Sequence, residues 1–113
     1  MLLTSIILFG IAAVLGVTIL IPLLKGKQIN RSTAVLHGFF AAAALIVLII
    51  FSINNSIDSP ILPIILFIAA AIGGFILFVR DLSNKPGPKA LALIHAAVAV
   101  IAFLILFVFA LGL

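Results

Sequence analysis

The chain has no cysteine, no tryptophan and no tyrosine, a single methionine, and only two acidic residues, Asp58 and Asp81. Without thiols it can form no disulfide, no zinc–thiolate centre and no cysteine-ligated iron–sulfur cluster, so cysteine says nothing about its redox compartment. Without Trp and Tyr the usual aromatic belt at a membrane boundary is missing, and the ten phenylalanines must serve there instead. The largest deficit is charge. Charged residues make up 7% of 113 positions and hydrophobic residues 67%, with a mean hydropathy of +1.65. A soluble domain is about half apolar and about a quarter charged. This chain cannot cover itself with polar surface, and its composition is that of an integral membrane protein.

The net charge of +4 does not point to nucleic acid, because the few charges all lie between apolar runs. Lys and Arg beside apolar spans set topology. Four such runs are present, each near the ~20 residues that cross a bilayer as a helix. The first extends from Leu3 to Leu24, the second from Thr33 to Ile53, the third from Pro60 to Val79 and the fourth from Ala90 to Leu111. Met1 to Leu24 lacks a basic n-region and a clear cleavage site, and reads as a retained span rather than a signal peptide. Continuous apolar runs of this length exclude a barrel, whose strands are about half as long, and helices alone satisfy their own backbone in lipid without closure. Asn30 or Ser32 can cap the second span, and Asp58 or Ser59 before Pro60 marks the start of the third.

Lys25, Lys27 and Arg31 lie in the first connection, and Arg80, Lys85 and Lys89 in the third; the second connection has no basic residue. By the positive-inside rule, loops 25–32 and 80–89 face the cytoplasm, and both termini lie outside a plasma (inner) membrane.

The two histidines, His37 and His95, stand 58 positions apart, and at that offset the halves of the chain align without a gap, with 15 identities in 55 pairs. The reading is an all-α membrane protein, a four-helix bundle forming one integral domain from two parallel-repeat hairpins, residues 1–55 and 56–113. The identities fall at alternating steps of three and four. Ala34, His37, Ala41, Ala44 and Leu48 form one such seam, matched by Ala92, His95, Ala99, Ala102 and Leu106. Ile6, Phe9, Ala13 and Gly16, matched by Ile64, Phe67, Ala71 and Gly74, form the other. Such spacing marks one face of a helix, and small residues there let membrane helices approach closely. Both seams are expected to face inward and to place the histidines at one depth on diagonally opposite spans.

An ionisable side chain within a span is a functional candidate by default. Imidazole is an axial ligand of haem iron, and diagonal helices roughly 12–14 Å apart can bring two imidazoles to one metal. Ala residues one and two turns beyond each His leave room for a macrocycle, Phe39, Phe40 and Phe103 can wall it from lipid, and Lys27, Arg31, Lys85 and Lys89 match its propionates. The expected function is therefore a small b-type cytochrome-like membrane protein. His37 and His95 would be metal ligands to haem b, for electron transfer or haem handling with a redox or assembly partner in the membrane.

The alternative is a non-enzymatic interaction or assembly protein in which each His bonds a neighbouring helix. A bare transition-metal site lacks completing ligands, although a homodimer would gather four histidines if they faced its interface. Four spans in 113 residues match the size of the small multidrug resistance exporters. That family carries an essential Glu in its first span, where this chain has none, so transport is the weaker reading. No nucleophile, base and orienting acid come together, because Ser5, Ser52 and Asp58 lie toward the outer side. The chain is at most a redox carrier rather than a hydrolytic enzyme.

Overall fold

The computed structural model describes residues 1–113 and consists of four α-helices: α1 (Leu2–Leu24), α2 (Arg31–Asn54), α3 (Ile61–Leu82) and α4 (Lys89–Ala110). At 1.5 Å per residue, helices of 22 to 24 residues are about 33–36 Å long, enough to cross the ~30 Å hydrocarbon layer. All four are long and apolar enough to do so, and the chain is an integral membrane protein with multiple spans. Only 13 of 113 residues are buried, and the outward faces carry Ile, Leu, Val and Phe almost throughout. A water-soluble monomer rarely leaves so much contiguous apolar surface exposed; here lipid is the solvent.

Each helix packs against the next, and α4 closes on α1, so α1 and α3 occupy one diagonal of the bundle and α2 and α4 the other. The α1–α2 and α3–α4 seams are the most extensive. The expected spans correspond to the observed helices with shifts at their ends. Arg31 belongs to α2, and Asn30 caps it, its Oδ1 accepting from the Thr33 amide at 3.2 Å. Pro60 precedes α3 rather than opening it. Neither Asp58 nor Ser59 caps α3; the Ser59 hydroxyl hydrogen-bonds the Ser52 hydroxyl instead. Polar Arg80 and Asp81 do not end α3, which runs on to Leu82, because a helix tip beyond the hydrocarbon can carry charge.

The ends of α1 and α3 close in the same way. Gly26 (φ 71°) follows α1 and Asn84 (φ 56°) follows α3, both left-handed. At the first, the amides of Gly26 and Lys27 donate to the carbonyls of Leu23 and Pro22; at the second, those of Asn84 and Lys85 donate to Asp81 and Arg80. This is the Schellman closure, which needs a residue tolerant of positive φ. Gly and Asn are the two residue types that visit this region most readily.

The core lies toward the end of the bundle that carries the termini. Phe9 on α1 stacks on Phe67 on α3 across the diagonal, ring centres 3.8 Å apart and planes within 6°. Ala44 and Leu48 on α2 and Ala102 and Leu106 on α4 surround this stack and are fully buried, with Ile64 beside them. Two expected seam positions are corrected. Ala13 and Ala71 are exposed, and Ala12 and Ala70, one residue earlier, are buried in their place. Steps of three and four can be taken in either order between Phe9 and Gly16, and close approach to α2 and α4 selects Ala12 and Ala70.

Candidate functional site

His37 stands six residues into α2, counted from Arg31, and His95 six into α4, counted from Lys89, so each is about 9 Å from its helix start. Both are partly buried. Across the α2–α4 diagonal their ring centres are 6.1 Å apart, with planes at 84°. The structure thus brings together the two residues that the sequence singles out as metal ligands.

Each ring is anchored by one hydrogen bond from Nδ1. His37 Nδ1 lies 2.7 Å from the Ala12 carbonyl oxygen on α1, and His95 Nδ1 lies 2.7 Å from that of Ala70 on α3. A carbonyl only accepts, so Nδ1 is the protonated nitrogen in both rings. Nε2 makes no hydrogen bond to the protein in either case. These two carbonyl anchors were not evident in the sequence, because a backbone acceptor has no residue signature; the nearest hint was the small residues opposite each His.

The four basic residues expected near the histidines lie at the same end of the bundle, where α1 and α3 finish and α2 and α4 begin. Lys27, Lys85 and Lys89 are exposed. Arg31 is engaged: its Nε donates to Asp81 Oδ2 at 3.1 Å and its Nη2 to the Asp81 carbonyl at 2.9 Å, tying the start of α2 to the end of α3. Arg80 donates to the Pro86 carbonyl and folds the third connection back on its own helix. Of the aromatics expected to wall the site, Phe103 packs on the core, Phe40 is partly buried and Phe39 is 65% exposed on the outer face of α2.

Two imidazoles are a sufficient donor set for the axial positions of a haem, and metal–nitrogen bonds of about 2.0–2.1 Å place two opposed ring centres roughly 6 Å apart. The two ring centres are 6.1 Å apart. The residues one turn to either side of each His are alanines, Ala34 and Ala41 on α2 and Ala92 and Ala99 on α4. Two surface depressions, one lined by Leu2, Ile6 and Phe107 and another by the Asn54–Asp58 turn, lie at the end of the bundle away from the histidines and offer them no space for a macrocycle. No group of three or more His, Cys, Asp or Glu converges anywhere in the chain, so a four-ligand metal site is not assembled within one copy. Searches against models of known protein families, curated proteins and solved structures find no match to the chain.

Proposed function

We propose that the protein is a small membrane b-type cytochrome-like protein in which His37 and His95 are the axial ligands of one haem. The observation that carries this reading is the pair of imidazoles 6.1 Å apart across the bundle, each fixed through Nδ1 with Nε2 uncommitted. Ligating histidines characteristically donate their other ring N–H to a carbonyl or carboxylate, which sets tautomer and orientation. A haem held there would supply reversible one-electron chemistry. The chain itself would contribute the two imidazoles, a low-dielectric surround of Ala, Leu and Phe, and Lys27, Lys85 and Lys89 as cations for the propionates, with Arg31 shared with Asp81.

This reading includes the architecture: two parallel-repeat hairpins, residues 1–55 and 56–113. Supporting it, Ala12, Gly26 and His37 have structural counterparts at Ala70, Asn84 and His95, each 58 positions on. It also includes orientation, with loops 25–32 and 80–89 cytoplasmic and both termini outside, on the strength of their basic residues.

A second reading has its own support. The two Nδ1–H bonds join α2 to α1 and α4 to α3, so the histidines can act as interhelical fasteners in an assembly protein without a cofactor. An absorption spectrum of the protein as purified separates the two. The haem reading predicts a Soret band that His37→Ala and His95→Ala each abolish. A colourless wild type that takes up no added haemin refutes it.

A further inference from the structure

Gly16 and Gly74 lie four residues after Ala12 and Ala70, whose carbonyls receive the imidazoles. In an α-helix a side chain leans back over the turn that precedes its own Cα. A side chain at position 16 would therefore cover the Ala12 carbonyl, and one at position 74 the Ala70 carbonyl. The distances agree. A Cβ at Gly16 would stand 3.0 Å from His37 Cε1 and 3.3 Å from Nδ1; a Cβ at Gly74 would stand 2.9 Å from His95 Cε1 and 3.4 Å from Nδ1. Gly10 and Gly38, also within helices, have nothing within 4 Å of that position. A Cβ at Gly73, which also faces α4, would meet His95 only at ordinary contact distance, 3.7 Å from its Cβ and 3.9 Å from Nδ1. Approach closer than ordinary contact to a histidine ring is particular to Gly16 and Gly74.

We propose that Gly16 and Gly74 are positioning residues that uncover a helix carbonyl, so that each imidazole docks through Nδ1–H and presents an unprotonated Nε2. A carbonyl has two lone pairs. One serves the helix, accepting the amide four residues on. The other points outward from the helix, and without a Cβ at position 16 or 74 the imidazole ring has room to reach it. The device occurs twice, as Ala12–Gly16–His37 and as Ala70–Gly74–His95, and each helix pair carries a complete half of the site. That Nε2 then serves a haem rests on the reading above; the docking and the tautomer do not.

The test uses full-length protein in lipid nanodiscs without added haem, with 15N-labelled histidine and long-range proton–nitrogen correlation. Wild type is expected to show both rings as the Nδ1–H tautomer. Gly16→Ala should move the His37 signals toward the other tautomer and leave His95 unchanged, and Gly74→Ala should do the reverse. Gly10→Ala and Gly38→Ala should move neither. An Nε2–H tautomer in wild type, or rings indifferent to alanine at positions 16 and 74, overturns the proposal.

Where Gly16→Ala prevents folding, combining it with His37→Ala decides the matter. Removing the ring should restore folding to the level of His37→Ala alone, and failure to do so means that the glycine serves helix contact rather than the ring. Addition of haemin to wild type is a separate arm. Absence of uptake refutes the haem reading and leaves the tautomer result standing.

Discussion

At the scale of single residues, the histidines are held by one hydrogen bond each, and the size of that bond in lipid sets what can be lost. Interhelical hydrogen bonds in membranes contribute about 0.6 kcal/mol on average and up to about 1.7 kcal/mol. His37→Ala and His95→Ala are each expected to lower stability by about 1 kcal/mol, measured by unfolding of the cofactor-free protein in mixed micelles. Equal effects are expected because the two bonds have the same length and partner type. A loss of several kcal/mol would mean that the rings carry the fold rather than decorate it. The Arg31–Asp81 pair is different. Its side chains are 47% and 19% exposed, so it lies where water and salt screen it, and such pairs contribute about 0–1 kcal/mol. Asp81→Asn should therefore cost little, and its effect should shrink further in high salt.

At the scale of helices and their ends, Gly26 and Asn84 perform the same closure with unequal ease. Asn tolerates the left-handed region, but glycine occupies it without steric cost. Asn84→Gly is expected to be neutral or slightly stabilising, and Gly26→Ala to destabilise by about 1 kcal/mol, read as shifts in unfolding midpoint. Helix number, approximate span and the inward histidines were all legible in the sequence, because long apolar runs and two rare residues at one offset are strong signals. The inward choice of Ala12 and Ala70 over Ala13 and Ala71 was not. With alanine at both positions, composition cannot rank them, and only contact with the neighbouring helix does. The carbonyl anchors were invisible for a related reason: every residue has a carbonyl, and its availability depends on what lies four residues later. The persistence of α3 through Arg80 and Asp81 was missed because charge marks the end of the hydrocarbon, not the end of the helix.

At the scale of the whole molecule, stability cannot come from withdrawing apolar surface from water, since lipid is as apolar as the core. What remains is packing. Leu48 and Leu106 are fully enclosed around the Phe9–Phe67 stack, so Leu→Ala there forfeits dispersion contacts and leaves a cavity, without the aqueous transfer contribution. Each is expected to cost about 1–3 kcal/mol, toward and below the lower end of the about 2–5 kcal/mol seen in soluble cores, as measured by unfolding in micelles. Orientation is tested by Lys27→Cys and Asn55→Cys. An impermeant thiol reagent should label the second in intact cells and the first only after the membrane is opened.

Whether the histidine pair is a ligand pair is decided by titrating the cofactor-free protein with haemin. Saturation is expected at one haemin per chain, with a spectrum of six-coordinate iron bearing two nitrogen ligands that is lost when either His37 or His95 becomes alanine. Uptake that the double His37→Ala, His95→Ala variant retains unchanged, or no uptake by the wild type, would contradict ligation by the pair.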